Sequence, residues 1–186
     1  MGSLRIIAGT AKGIRLQSVP GADTRPITDR AKEALFNILG GDIEDSTFLD
    51  LFAGTGSVGI EALSRGARFA RFLDIQHQAI LTIHNNLDKS GFKESSEVKR
   101  MDALATLRRS EDRKFDYIFI APPQYKGLWK QALSLLDDNG GWLEENGWVI
   151  VQIHPVEFEA IEFRHLSKFD HRKYGSVMFV FYQKMP

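Results

Sequence analysis

A glycine-rich turn lies between an apolar strand and a helix in the stretch from Phe48 to Ala62. Its three glycines, Gly54, Gly56 and Gly59, fit the spacing G-x-G-x-x-G. In that spacing the first two glycines permit a tight turn that a ligand can approach, and the third lets the helix pack close to the strand. Free N–H groups at the start of the helix are then expected to face the ligand. The spacing therefore predicts a loop for a nucleotide-type cofactor.

Two carboxylates narrow the kind of cofactor. Asp50 lies within the strand before the turn, where a dinucleotide-binding strand is normally apolar. A buried carboxylate needs a charged or hydrogen-bonding partner, and a cofactor with a cationic group would supply one. Asp74 ends the next apolar run, about 20 residues past the loop, where the acid that binds ribose hydroxyls is expected. A surface acid at a strand end is the alternative interpretation of Asp74.

Size and composition indicate one globular domain. The chain has 186 residues, of which 43% are hydrophobic and 26% charged, which suffices for one well-buried core. Its 24 basic and 24 acidic residues cancel, so a polyanionic partner must be held by a local patch. The lack of cysteine excludes disulfides and thiolate metal sites. No apolar run resembles a signal-peptide core or a membrane helix, and we expect a cytoplasmic protein.

The N-terminal part, residues 1–41, is predicted to extend a core of residues 42–186 within this one domain. Alternating runs at 5–8 and 14–17 flank a glycine-bracketed loop, which predicts a small hairpin with a positive bias. A loop over 21–27 follows, and Thr28 is a candidate N-cap for a helix that Gly40 and Gly41 end. The apolar face of this helix comprises Ala31, Ala34, Leu35, Ile38 and Leu39.

From the glycine loop onward, strands and helices alternate. We predict strands over 48–52, 69–74, 98–101, 115–120 and 148–153, and helices over 57–65, 77–89, 103–109 and 128–136. Two further strand-like runs, 163–173 and 177–182, are joined only by Tyr174-Gly175-Ser176 and must be antiparallel. A mostly parallel α/β sheet closed by an antiparallel hairpin is the layout of class I methyltransferases. A plain dinucleotide-binding domain would use another helical crossover.

Ligands of such sheets bind beyond the carboxyl ends of the strands. Those positions are 50–56, Asp74, Asp102-Ala103 and the loop from Ala121 to Tyr125. Asp102 could cap the next helix, bind an adenine amino group, or do both. Pro122 and Pro123 fix the backbone and leave carbonyls free to accept hydrogen bonds, although they could form only a stiff turn. Acceptors for an exocyclic amine, with an aromatic ring holding its base, would orient the nitrogen lone pair toward a methyl donor.

The chain resembles the bacterial 16S ribosomal RNA (guanine-N2)-methyltransferase family, the RsmD-like proteins, over nearly its whole length. The glycine loop alone would be a weak basis, whereas many ordered matches are specific. The matching segments are 5–9 with Lys12-Gly13, Thr24-Arg25-Pro26, 33–39, 49–62, 64–67, Asp102-Ala103 and Tyr174-Gly175.

The resemblance implies an S-adenosylmethionine-dependent enzyme that methylates the N2 amine of a guanosine in 16S ribosomal RNA, within the small ribosomal subunit or an assembly intermediate. It implies that Asp74 binds the ribose, where the family usually has Glu. It also implies that the methionine part of the cofactor is surrounded by Asp50, Phe52, Ala53, Gly54 and Gly56, and that the adenine is contacted by Asp102 and Ala103. The resemblance places Thr24, Arg25 and Thr28 over the cofactor and the entering base. It implies that the RNA phosphates are contacted by Arg5, Lys12, Arg15 and Arg30.

One position departs from the family pattern, which after the fourth strand has Asp or Asn, two prolines and an aromatic residue. This chain has Ala121, Pro122, Pro123, Gln124 and Tyr125, so the side-chain acceptor for the amine is absent and the aromatic residue is displaced by one place. We predict that the Pro122 carbonyl and the Gln124 side chain act as acceptors while Tyr125 stacks on the base.

Two other functions stay open at this point. A catalytically impaired family member would bind S-adenosylmethionine and RNA without methyl transfer, and Ala121 favours that alternative. A nicotinamide-dependent oxidoreductase would use the three glycines, but Asp50, the Pro122-Pro123 loop and the antiparallel ending count against it. The five histidines show no spacing typical of a metal site. We expect a monomer without metal or membrane attachment.

Overall fold

The computed structural model describes residues 4–21 and 26–185, and in these residues seven strands form one sheet. The strands are β1 Thr47–Asp50, β2 Phe69–Asp74, β3 Ser96–Arg100, β4 Phe115–Ile120, β5 Leu143–Ile153, β6 Leu166–Tyr174 and β7 Val177–Lys184. Their order in the sheet is β3-β2-β1-β4-β5-β7-β6, in which β1 to β5 are parallel and β7 is antiparallel to both β5 and β6. The predicted α/β class with its closing hairpin is therefore confirmed.

The α-helices cover both faces of this sheet, and a separate apolar cluster fills each face. The helices are α1 Asp29–Leu39, α2 Ser57–Ser64, α3 His77–Ser90, α4 Ala103–Leu107 and α5 Leu128–Asp138. The first cluster lies beneath α1, α2, α3 and apolar side chains of residues 4–16, and the second lies beneath α4 and α5. Within the described ranges, no helix has the length and apolar character needed to cross a membrane.

Two strand starts differ from the predicted ones by three or more residues, for reasons outside the local sequence. Strand β6 begins at Leu166 instead of residue 163, because the buried Asp137 carboxylate accepts hydrogen bonds from the backbone N–H groups of Arg164, His165 and Leu166. Strand β5 begins five residues earlier than its predicted start at Trp148, since its pairing with β4 continues across an irregular register. Tertiary hydrogen bonds, and not the apolar pattern, set both starts.

The N-terminal segment is attached to the helices through a buried ion pair. Lys32 and Glu61 have fully buried side chains, with 3.5 Å between Nζ and Oε2. Lys32 Nζ also donates to the Arg5 carbonyl at 2.6 Å, and Glu61 accepts from the N–H groups of Ile7 and Ala8 at 2.9 and 3.0 Å. Burial lowers the pKa of Lys32, while the Glu61 charge opposes that shift. The predicted apolar face of α1 thus contains a charged side chain that the pattern did not indicate.

The predicted N-terminal hairpin is present in a reduced form. One antiparallel bridge joins Arg5 to Arg15, with backbone hydrogen bonds from Ile6 N–H to the Ile14 carbonyl and from Leu16 N–H to the Leu4 carbonyl. Further pairing is prevented because the loop between the two runs bonds instead to Ser64, at the carboxyl-terminal end of α2. The hairpin is therefore part of the helix layer.

Candidate cofactor and base site

The glycine turn connects β1 to α2 as the spacing predicts. Gly54 and Gly56 have φ angles of 55° and 76°, in the left-handed region that favours glycine. A Cβ atom on Gly59 would lie 2.4 Å from the Phe72 ring, so only glycine lets α2 pack this closely on β2. Phe52 is half-buried and Ala53 is buried at the start of the turn.

Three N–H groups of this turn are already hydrogen-bonded within the protein. Gly54 N–H donates to Asp74 Oδ2 at 2.9 Å, Gly56 N–H to the Ala53 carbonyl at 2.7 Å, and Ser57 N–H to Thr55 Oγ1 at 3.3 Å. A dinucleotide pyrophosphate is bound by free N–H groups at such a helix start. The internal hydrogen bonds therefore disfavour a dinucleotide and suit a cofactor without phosphate.

Asp50 is a buried carboxylate for which the described residues supply no cation, and the backbone N–H groups of Gly59 and Phe52 offset its burial only in part. It is 2% exposed at the end of β1, and its Oδ1 atom accepts no hydrogen bond. Burial, and secondarily the charge of Asp74, raises the pKa of Asp50 from 3.8 to about 7. A ligand with a positive charge would lower that pKa again and remove the cost of the unpaired oxygen. The residues present therefore fit a cationic cofactor such as S-adenosylmethionine.

Asp74 ends β2 and shapes the turn that it faces. Its Oδ2 accepts from Gly54 N–H and its Oδ1 accepts from Gln76 N–H, each at 2.9 Å. Each carboxylate oxygen can accept a second hydrogen bond, so these contacts are compatible with binding a ribose hydroxyl. Ile75, the next residue, is 60% exposed and offers an apolar surface at the same edge.

Asp102 follows β3 and caps α4, since its Oδ1 accepts from Ala105 N–H at 2.7 Å. The predicted capping role is therefore confirmed. Met101 N–H donates to the Asp74 carbonyl at 3.1 Å, which places the loop of Asp102 and the buried Ala103 beside the end of β2. The adenine contact predicted for these two residues stays a prediction.

The loop from Ala121 to Tyr125 follows β4 and contains an exposed aromatic ring. Tyr125 is 67% exposed and has φ 62°, a conformation rare for a residue with a side chain. Its N–H donates to Glu157 Oε1 at 2.8 Å, while Glu157 Oε2 accepts from His154 N–H at 3.2 Å. The rings of Tyr125 and His154 lie 6.1 Å apart. Glu157 therefore ties the loop after β4 to the short helix after β5.

The predicted phosphate-binding residues do not all lie together. Arg5 and Arg15 face each other across the bridge, and the Arg5 side chain pairs with Asp29 at 2.8 Å, next to the exposed Arg30. Lys12 lies in the loop that contacts Ser64, at the opposite end of α2 from the glycine turn. An eight-residue helix places about 12 Å between these ends.

The remaining predicted residues cap α1, lie in the loop after β4 or fall outside the described ranges. Thr28 is the N-cap of α1, and its Oγ1 accepts from Ala31 N–H at 3.2 Å. Pro122 is half-buried, and Pro123 and Gln124 are exposed. Thr24 and Arg25 lie outside the described residues.

Sequence reasoning missed several residues that organise this edge. Asn86 on α3 is fully buried; its Nδ2 donates to the Thr55 carbonyl at 2.9 Å and its Oδ1 accepts from Gln17 N–H at 2.7 Å. It thereby links the glycine turn to the N-terminal segment. A lone acid within an otherwise apolar helix is a sequence pattern that could have pointed to Glu61. No sequence pattern distinguishes Glu157 or Asn86. In residues 4–21 and 26–185, no group of His, Asp and Glu is placed to hold a metal ion.

Known proteins are similar to this chain in both sequence and fold. Residues 4–183 match the model of a family described as conserved hypothetical protein 95. YlbH of Bacillus subtilis, named as a candidate rRNA methyltransferase, is 40% identical over 161 residues, or 86% of each chain. Ribosomal RNA small subunit methyltransferase D of Haemophilus influenzae is 39% identical over 153 residues, covering 81% of this chain and 79% of that one. The solved structure of yhhF from Escherichia coli, a candidate methyltransferase, has a TM-score of 0.87 at 31% identity and covers 98% of both chains.

Proposed function

The chain belongs to the conserved hypothetical protein 95 family of class I methyltransferases, and on that premise we propose that it methylates the N2 amine of a guanosine in 16S ribosomal RNA. The main support for this proposal is that one edge of the sheet holds both the buried Asp50 carboxylate, which has an unsatisfied oxygen, and the proline loop with its exposed Tyr125. The first suits a cationic cofactor, and the second suits a flat base. The substrate form is the small subunit or an assembly intermediate.

The residues at the ends of β1, β2 and β3 would hold S-adenosylmethionine. Asp50 would face its positive charge, Asp74 its ribose, and Ile75 and Asp102 its adenine. The cofactor would supply an electrophilic methyl group with its sulfur as the leaving group, and the amine would give up one proton to water. The protein's contribution is to hold and orient the two reactants.

The residues after β4 would hold the guanine. Tyr125 presents most of its ring to solvent in a fixed backbone conformation, because Glu157 binds its N–H. A base can stack on such a ring. Pro122 has no N–H and offers its carbonyl as an acceptor for the amine. Gln124 is the second acceptor predicted from the sequence, and its side chain is exposed.

The N-terminal segment would contact the RNA backbone. Arg5, Arg15 and Arg30 form a cationic group at the amino-terminal end of α1, partly balanced by Asp29. Such side chains bind phosphates without reading sequence, which suits a chain whose total charge is zero. We keep the expectation of a cytoplasmic monomer as part of this proposal.

Neither alternative function is favoured. The relatives give no support to the catalytically impaired member, because YlbH, the Haemophilus influenzae protein and yhhF are all named as methyltransferases or candidates for one. The bonded N–H groups of the glycine turn argue against the nicotinamide-dependent oxidoreductase.

Mass spectrometry of small-subunit ribosomal RNA tests the proposal. Cells that lack the protein should lose one N2-methylguanosine, and purified protein with S-adenosylmethionine should restore it on small subunits from those cells. An unchanged N2-methylguanosine content in the deletion strain would overturn the proposed function.

A further inference from the structure

Gln152 lies one residue before the end of β5 and carries a buried amide oxygen without a hydrogen bond. Buried polar atoms are nearly always satisfied, so each exception needs a physical reason. In residues 4–21 and 26–185, only two buried side-chain oxygens lack a partner: Gln152 Oε1 and Asp50 Oδ1. The third unsatisfied buried atom, Trp142 Nε1, precedes the amino end of β5, away from the candidate site. A cationic cofactor would account for Asp50, and a hydrogen-bond donor of a ligand would account for Gln152.

The strand register places Gln152 beside Ala121. Ile120 of β4 pairs with Val151 of β5, so Ala121 and Gln152 are the next residues on the two strands. Neighbouring strands lie about 4.8 Å apart. Asp50 ends β1, which adjoins β4 on its other side. The two unpaired oxygens therefore flank β4 at the carboxyl edge of the sheet.

Gln152 and Ala121 also point to the same face of the sheet. Two residues earlier on each strand, Phe119 and Ile150 both belong to the first apolar cluster, and Ala121 packs against that cluster. Val151 and Ile153 belong to the second cluster, so Gln152 between them faces the first. Phe179, its partner on β7, belongs to the first cluster as well.

We propose that Gln152 is the side-chain acceptor for the exocyclic amine of the target guanine, in the place that Ala121 leaves without one. This inference rests on the proposed function and names a residue of the same site. The methyl side chain of Ala121 leaves room on this face for the longer side chain of Gln152. Its amide oxygen accepts one N–H of the amine, the Pro122 carbonyl accepts the other, and the nitrogen lone pair turns toward the methyl donor.

Gln152 is better placed for this role than Gln124. Gln124 is exposed, so its amide exchanges hydrogen bonds with water and is not held in one orientation. Gln152 Oε1 is excluded from water, where a fixed acceptor acts more strongly on a developing charge. The amide is too weak a base to keep the departing proton, which leaves to water. Gln152 thus orients the amine without acting as a general base.

The test replaces Gln152 with methionine, which has a similar length and no comparable acceptor. Gln152→Met should lower kcat on small subunits about 100-fold, leave the Kd for S-adenosylmethionine within twofold, and leave the thermal midpoint unchanged or higher. A purely structural side chain would lower the midpoint instead. Gln183→Met, on the exposed surface of β7 opposite Trp148, is the matched control and should behave as wild type.

A second variant tests whether an acceptor placed on the neighbouring strand β4 can replace that of Gln152. Ala121→Asn in the Gln152→Met background should restore most of the lost kcat, because it places an amide oxygen on the same face. A wild-type kcat for Gln152→Met would overturn the inference, as would a comparable loss with Gln124→Ala but not with Gln152→Met. Absence of N2 methylation by the wild-type protein would instead overturn the proposed function itself.

Discussion

The two ends of the candidate site are built in different ways. At the cofactor end, the glycine turn is closed by one hydrogen bond to Asp74, by the packing of Gly59 on Phe72 and by a hydrogen bond from Asn86 of α3. At the base end, the loop after β4 has an exposed Tyr125 in a left-handed conformation. Glu157, 32 residues away in sequence, holds that loop.

This difference shows where each end obtains its rigidity. The cofactor end is held mainly by contacts within β1, α2 and β2, with a further hydrogen bond from Asn86 of α3, and what it still lacks is a cation for Asp50. The base end depends on side chains from β5 and the short helix that follows it. Changes in the two regions should therefore separate cofactor affinity from the handling of RNA.

The largest effect is expected from removing the charge of Asp50. Asp50→Asn should weaken S-adenosylmethionine binding about 100-fold, because an ion pair of about 3 kcal/mol with the cofactor is lost. In the wild type, affinity should rise as the pH increases through about 7, since the ionised carboxylate binds the cation. Calorimetry between about pH 6 and 8 measures both. A wild-type affinity that does not vary with pH would contradict the role of Asp50.

The same substitution should have the opposite effect on stability. The folded-state pKa of Asp50 is about 7, above its ordinary value of 3.8, so the folded protein favours the protonated form. The free energy of unfolding of the wild type should therefore fall as the pH rises from about 4 to about 7. Asp50→Asn removes this decline. Thermal unfolding without cofactor should show the variant to be more stable than wild type at about pH 8 and not at about pH 4.

A smaller effect is expected from changing Glu157, which holds the loop after β4 at the base end of the site. Glu157→Ala frees the Tyr125 N–H and should lower kcat/KM for small subunits about 10-fold, with the Kd for S-adenosylmethionine unchanged. Glu157→Gln keeps one acceptor oxygen for that N–H and should lose less. Steady-state kinetics with calorimetry separates the two ends. An equal loss of cofactor affinity would show that the ends are not independent.

The smallest effect concerns the cationic N-terminal segment. Arg15→Ala should reduce RNA affinity about threefold and lower the slope of log affinity against log salt by about one. Lys12→Ala should change affinity less, because its loop lies at the far end of α2. Filter binding at several salt concentrations measures both. An equal loss for the two variants would place the RNA along the whole of α2.

Local sequence patterns determined much of the fold. The strand-helix alternation, the glycine turn, the caps at Thr28 and Asp102 and the closing hairpin were all predicted, because each depends on residues within a few positions of one another. The positions of Asp50 and Asp74 followed from the same spacing. The resemblance then added the family and the proposed reaction.

The tertiary structure alone decided how that site is completed. Lys32 is buried because Glu61 and the Arg5 carbonyl meet it from distant parts of the chain. Glu157 reaches Tyr125, and Gln152 adjoins Ala121, only because β4 and β5 pair in one register. Periodicity indicates which face a side chain occupies, but not which residue of another strand lies next to it. The sequence by itself therefore located the glycine turn, Asp50 and Asp74, while strand register and long-range hydrogen bonds, including the one from Asn86, decided how both ends are completed.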